Sequence, residues 1–428
     1  MAAELHLPHQ FAGAYKTLTA QCHCKSTHFT VTVPTSALPL PVHLCHCSIC
    51  RYTHGTFSCF HAPLPKEVEP HFVSPSSVES SVTGYIHDKA ASERFFCTTC
   101  GCHIGDRDLK VDPETGKTPW RVATSIFDTH DEETFQIRSH CFVDPATEPN
   151  LATWLPSING RDVHVWNPGP DDPHFPLAQS RPPKPDLPDR NHLLAQCHCG
   201  GVRFTLPRPS ESDAADPLLA RFLRTGPTPS PTLNSDSNPN PDHNPSPTNT
   251  TTHTAQAHHA HTPATLKRVA CLCLCTDCRL VSGAHAMPWT FAPLASLQPA
   301  IPESLEGGGT TLRAYRSSEK VTRAFCGGCG ASVFYLFDDP ERVKVGDGGE
   351  GGEGRVVVVD VAVGLLRDWE GGSVAAEEWL AWRTGRLAGL ESGRRFDGGF
   401  AEGLAEGLGR WGLRRYGRRE EFEIPQDL

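Results

Sequence analysis

Fourteen of the eighteen cysteines in this chain fall into three groups that occur in order and then occur again. Cys22 and Cys24, then Cys45, Cys47 and Cys50, then Cys97 and Cys100 form the first series. Cys197 and Cys199, then Cys273, Cys275 and Cys278, then Cys326 and Cys329 form the second. Each series reads C-x-C, C-x-C-x-x-C, C-x-x-C. Thiolates so spaced suit zinc, which takes four ligands in a tetrahedron at about 2.3 Å from sulfur. Joining the outer groups places Cys22, Cys24, Cys97 and Cys100 on one structural ion, and Cys197, Cys199, Cys326 and Cys329 on another. Each triplet offers only three thiolates, and three protein ligands with one open position is the arrangement of catalytic zinc. The other reading of the triplet is a borrowed fourth ligand, Cys59 or His54 in the first series and Cys271 in the second, which would make it structural. Cys59, Cys102 and Cys141 lack counterparts in the second series and read as buried small residues.

Whether paired cysteines bind metal or form disulfides depends on the compartment. Met1 to Gln10 has no basic stretch followed by an apolar run, so it does not read as a secretory signal. No window approaches the roughly 18 apolar residues of a membrane span. The expectation is an intracellular, cytoplasmic chain without membrane contact, whose cysteines bind metal rather than form disulfides. A formal net charge of −10 disfavours nucleic acid as a partner.

The elements that must position these cysteines are short and mainly β. His28-Phe-Thr-Val-Thr-Val, Val82-Thr-Gly-Tyr-Ile, Val202-Arg-Phe-Thr-Leu, Leu312-Arg-Ala-Tyr and Val356-Val-Val-Val-Asp-Val-Ala-Val carry strand patterns. A chain of 428 residues exceeds one ordinary core, and 37 glycines with 38 prolines suggest folded modules separated by segments that do not pack. The offsets define the modules. Cys197 follows Cys22 by 175 residues, each triplet cysteine recurs after 228, and Cys97 and Cys100 recur after 229. One insertion of 53 residues reconciles these shifts, and a polar, Pro-rich stretch of that size lies between Thr205 and Leu266. Arg51 and Arg279 follow the triplets directly, with Gly55 and Gly283 four residues on. The organisation read from this is a first zinc domain over 16–166, a Pro-rich linker over 167–190, and a second zinc domain over 191–370 with a disordered insert at 206–265. A helical, charged tail occupies 371–428, with Trp379, Trp382 and Leu387 on an apolar face and a solvated stretch after Leu390. Gly346 to Gly354 reads as a hairpin extension, and His253 to His261 as composition bias within the insert.

The order C-x-C, C-x-C-x-x-C-R-x-x-x-G, F-C-x-x-C-G resembles the glutathione-dependent formaldehyde-activating enzyme family, which includes centromere protein V. The likeness covers about residues 16–166 and again about 190–370. It implies a β-tent fold with two zinc ions per domain, about four per chain. It assigns the outer four cysteines to a structural zinc, and Cys45, Cys47 and Cys50, with Cys273, Cys275 and Cys278 in the second copy, to the zinc at the glutathione site. The reaction so implied is a carbon–sulfur lyase chemistry, in which a thiol such as glutathione adds to a small aldehyde, or the reverse. Family members often carry glycine after the first C-x-C, where this chain has Lys25 and Gly200. A late histidine and aromatic run is matched by His140, Phe142, Val143 and Trp154 in the first copy alone, so the first copy is the expected reaction site. Arg51 and Arg279 could hold a glutathione carboxylate. The rival reading is a non-catalytic zinc scaffold or interaction module.

Overall fold

The computed structural model describes residues 14–169, 190–225, 265–340, 342–344, 356–367 and 373–425. Alternating apolar and polar residues build β1 (Tyr15–Gln21) and β2 (His28–Pro34), which pair antiparallel in full register from Tyr15↔Pro34 to Gln21↔His28. The cysteine triplet then joins β3 (Leu40–Cys45) to α1 (Ser48–His54). β4 (Cys59–Pro63), β5 (Val82–Tyr85), β6 (Ser92–Cys97), β7 (His103–Asp108), β8 (Trp120–Ala123) and β9 (Phe135–Cys141) complete the larger sheet, ahead of the one-turn helix α2 (Leu151–Trp154). Its strand order is β9-β3-β4-β8-β7-β6-β5, with His164–Trp166 beyond β9. β9 runs parallel to β3 and to His164–Trp166, and the other pairs named here are antiparallel.

The second half repeats that arrangement. β10 (His192–Gln196) pairs with β11 (Arg203–Pro207), followed by the short helix α3 (Glu211–Ala215) and β12 (Leu223–Thr225). β13 (Leu266–Cys273) leads through the second triplet into α4 (Thr276–Ser282). β14 (Met287–Pro293), β15 (Leu312–Arg316), β16 (Val321–Cys326), β17 (Ser332–Phe337) and β18 (Val356–Ala362) form the order β13-β14-β18-β17-β16-β15. β19 (Leu380–Trp382) lies parallel to β13, as β9 lies parallel to β3. The valine run of β18 is buried on both faces, the pattern of a central strand. Among the described residues no helix is long and apolar enough to cross a membrane.

The halves meet through reciprocal contacts. His23 N–H donates to the Leu280 carbonyl at 3.2 Å, and His198 N–H donates to the Tyr52 carbonyl at 3.1 Å. Tyr85 hydroxyl meets His198 Nδ1 at 2.7 Å, and Tyr315 hydroxyl meets His23 Nδ1 at 2.8 Å. Gly55 and Gly283 end α1 and α4 in the left-handed conformation, both at φ 74°. Each also abuts the opposite half. A Cβ would stand 2.2 Å from the Ser332 oxygen at Gly55 and 2.3 Å from the His103 oxygen at Gly283. Close approach and turn therefore both demand glycine at these two positions.

Three expectations change. The segment from Val374 runs through turns rather than a helix into β19, where Leu380 and Trp382 fill the space beside β13. The tail after Leu390 is packed, not solvated. It forms α5 (Leu390–Phe396) and α6 (Gly398–Tyr416), and α6 buries Phe400, Leu404, Leu408 and Trp411. Trp411 packs 5.4 Å from Trp154, which in turn lies 4.9 Å from Trp382, so the helix straps both halves. The span 206–225, assigned to the insert, holds α3 and β12, because β12 pairs with the start of β13. The rest of the insert with its histidines, most of the linker and the loop Gly346 to Gly354 lie outside the described residues.

Gly407 sets how closely α6 approaches, since a Cβ there would stand 1.9 Å from the backbone oxygen of Trp154. Gly407→Ala is expected to lower the melting temperature, because the clash with a backbone atom outweighs the roughly 1 kcal/mol of helix propensity gained. Gly398→Ala, with nothing within 4 Å, should leave it unchanged or raise it. Differential scanning calorimetry of the two variants checks this; equal shifts would refute the close-approach account.

Candidate metal centres

The outer cysteines of each half converge. Cys22 and Cys24 sit in the turn between β1 and β2, and Cys97 and Cys100 in the turn between β6 and β7. Their four sulfurs lie within 4.8 Å of one another, as do those of Cys197, Cys199, Cys326 and Cys329. The sulfur separations are 3.5 Å for Cys22–Cys24 and for Cys24–Cys97, and 3.4 to 3.7 Å among Cys197, Cys199 and Cys326. Zinc–sulfur bonds of about 2.3 Å in a tetrahedron place sulfurs about 3.8 Å apart, so both sets fit that ion, and a disulfide at about 2.05 Å does not describe them. Backbone N–H groups of Thr27 and Val202 point at Cys22 and Cys197 from 3.4 and 3.3 Å, favouring thiolate. Lys25 takes φ 64° where the second half has Gly200 at φ 76°. The turn therefore keeps its shape despite the lysine, at a strain of roughly 1–2 kcal/mol.

Each triplet is built by a strand end and a helix start. Cys45 closes β3, and Cys47 caps α1 with its sulfur accepting from the Cys50 N–H at 3.4 Å. Cys275 caps α4 and accepts from the Cys278 N–H at 3.3 Å. In both halves the three sulfurs lie within 4.8 Å of one another. An arginine faces the last of them: Arg94 Nη2 lies 3.9 Å from Cys50 Sγ, and Arg323 Nη1 3.5 Å from Cys278 Sγ. Neither arginine stood out in the sequence alone. Their signal was there, since each lies three residues before the first cysteine of its C-x-x-C.

The triplets differ in what completes them. Cys59 pairs across from Cys45 on the neighbouring strand, and its thiol contacts Cys45 and Cys50. Cys47, Cys50 and Cys59 form one buried cluster covered by Ile49 and Phe142. Cys59 therefore packs beside Cys45 and Cys50, while the sulfurs that all lie within 4.8 Å of one another are those of Cys45, Cys47 and Cys50. His54 is turned away: its Nδ1 lies 2.9 Å from the Cys50 carbonyl and its ring stacks on His103 at 3.8 Å. In the second half Met287 faces Cys273 in the position of Cys59. There the three cysteines open on a cavity of about 50 Å³, shared with Cys271, Arg323, Tyr335 and Asp360. Burial raises the Asp360 carboxyl to about 6, against the pull of Arg342, whose Nη1 donates to it at 2.5 Å.

The remaining singled-out residues serve the frame. His140 does not touch the sulfurs: its Nε2 donates to the Leu155 carbonyl at 2.9 Å, so Nδ1 accepts from His46 Nε2 at 2.9 Å. Leu274 stands where His46 would recur, and this relay belongs to the first half. Arg279 donates to the Ser125 carbonyl and lies 3.6 Å over the Phe396 ring, committed to the contact between halves. Arg51 donates to the Tyr52 hydroxyl and covers its ring. Cys102 is buried against the His103 carbonyl, and Cys141 contacts Ser139 Oγ at 3.3 Å beyond either sulfur group.

A positive charge beside a thiolate ligand tunes metal affinity by about 10–100-fold. Arg323→Gln is therefore expected to weaken zinc binding at the second triplet by about tenfold and to leave the four-cysteine sites unchanged. Competition with a chromophoric chelator measures this, and an unaltered isotherm would refute the role.

No curated protein matches the chain. Residues 17–144, which include all seven cysteines of the first series and Cys59, match the family described as Glutathione-dependent formaldehyde-activating enzyme. The likeness to that family is thus shown for residues 17–144.

Proposed function

We propose that the chain promotes addition of a thiol such as glutathione to a small aldehyde, and that the second triplet, Cys273, Cys275 and Cys278, is where this occurs. On this reading the second half is a diverged copy of the first, as its equal strand order and cysteine order support. The carrying observation is the difference in surroundings: Cys59, Ile49 and Phe142 pack against the first triplet, whereas the three sulfurs of the second open on a cavity. This reverses the expectation that the first copy is the reaction site. The covered triplet of the first half then serves stability, together with both outer sites.

A zinc ion held by Cys273, Cys275 and Cys278 would supply one free coordination position that keeps an exogenous thiol ionised near neutral pH. The chain's own groups do the rest. Arg323, stacked 4.7 Å over the Tyr335 ring and touching Cys278, offsets the negative charge of the sulfurs. Asp360 is ionised at neutral pH and can accept the proton that the thiol gives up. The thiol sulfur forms the new bond to the carbonyl carbon, the carbonyl π pair moves to oxygen, and that oxygen takes the proton. The product is a hydroxymethyl thioether when the aldehyde is formaldehyde. A cavity of about 50 Å³ suits a one-carbon aldehyde beside a sulfur and excludes long-chain ones.

Exchange NMR of glutathione with formaldehyde, read as acceleration over buffer, tests the assignment. Cys278→Ser should abolish the acceleration, and Cys50→Ser should keep most of it. The opposite pattern would return the reaction to the first half, and no acceleration by the wild-type chain would favour a non-catalytic zinc scaffold. The acceleration should also fall as pH drops through about 6, where Asp360 takes its proton, and Asp360→Asn should remove that limb.

A further inference from the structure

His130, His285 and Asp397 come from three distant elements and meet at the junction of the two halves. His130 lies in the loop between β8 and β9, His285 follows α4, and Asp397 caps α6 by accepting the Phe400 N–H at 2.9 Å. One ligand atom from each falls within 4.8 Å of the other two. The histidine side chains are 2% and 1% exposed and the carboxylate 13%. Phe60 stacks on His285 at 4.5 Å, and Phe135, Phe396 and Phe400 close the remaining sides.

The hydrogen bonds leave this cluster incomplete. His130 Nδ1 lies 2.8 Å from Asp397 Oδ2, and its Nε2 is buried without a partner. His285 Nε2 lies 3.0 Å from Thr124 Oγ1. The Thr124 hydroxyl also lies 3.4 Å from the Phe60 carbonyl, and in the tautomer in which it donates there His285 Nε2 is the donor in its own bond. His285 Nδ1 then carries a lone pair, has no hydrogen-bond partner, and faces the Asp397 carboxylate oxygen at 3.8 Å. Two lone-pair atoms facing each other in an apolar pocket repel unless a cation lies between them. Burial, then His130 and Arg279, also hold His285 in the neutral form that binds metal.

We propose that His130, His285 and Asp397 form a further binding site for a divalent transition-metal ion of the zinc class. Two imidazoles and one carboxylate are donors that such ions accept. The site joins the first half, the second half and the C-terminal helix, and is separate from every cysteine group.

The test uses the full chain, loaded with zinc and counted by native mass spectrometry, then loaded with cobalt(II) and read by absorption. His285→Gln and Asp397→Asn should each carry one ion fewer than the wild type, with thiolate-to-cobalt charge-transfer intensity unchanged. Asparagine caps helices as well as aspartate, so the second variant keeps α6 in place, which circular dichroism verifies. Equal ion counts in wild type and both variants would overturn the site and leave a hydrogen-bonded histidine–carboxylate cluster. Loss of an ion together with thiolate charge-transfer intensity would overturn it too, because that ion would belong to the cysteines.

Discussion

Sulfurs gathered within 4.8 Å of one another in a buried setting cannot all be ionised unless a cation neutralises them. The described fold is arranged around that constraint. In each half, two β turns separated by more than 70 residues must meet for the outer cysteines to converge. They meet because the strands that carry them, β1 and β2 with β6 and β7, pack against one core. Thr27 and Val202 add backbone N–H groups aimed at sulfur, and Ser26 and Thr311 add hydroxyls. The site and the small β module therefore stabilise each other, since neither turn has enough local structure to hold its shape alone.

The contact between halves extends the same logic. Every reciprocal contact involves the helices and turns that carry cysteines: Tyr52 and Leu280 lie on α1 and α4, and His23 and His198 lie between the cysteines of the C-x-C pairs. Each half thus buttresses the other's sulfur-bearing turns. Gly55 and Gly283 mark how close the approach is. Symmetric packing of this kind lets one half diverge while keeping the frame. The exchange of Cys59 for Met287, of His46 for Leu274, and of Asp106 for Tyr335 changes the chemistry around the triplets without altering strand order. Around the first triplet Asp106 is held below the usual carboxylate range despite its burial, by Arg121 and His61, while Asp360 near the second is raised. Two similar frames therefore hold one ionised and one readily protonated carboxylate.

Ligand chemistry and periodicity are both legible in the order of the residues. Cysteine spacing is a local property, so the three groups, their recurrence and the short alternating strands between them were legible without coordinates. Gly55 and Gly283 were visible as a matched pair, though the reason for them was not. Local patterns also misled. Trp379, Trp382 and Leu387 have helical spacing, yet Trp382 lies on a strand along β13 and the other two flank it, because a hydrophobic period is overridden when a neighbouring strand offers an unpaired edge. The glycine-rich, charged tail looked solvated, yet its glycines permit the closest helix approach in the fold's C-terminal part, at Trp154. Folding was needed to show which sulfurs stand together, that Cys59 packs against the first triplet, and that Arg94 and Arg323 face the third sulfur. It alone assembled His130, His285 and Asp397, which lie 155 and 112 residues apart along the chain. The physical reason is common to all of these: ligand identity is written in side-chain type, whereas coordination number and neighbouring charge depend on strands brought together by the core.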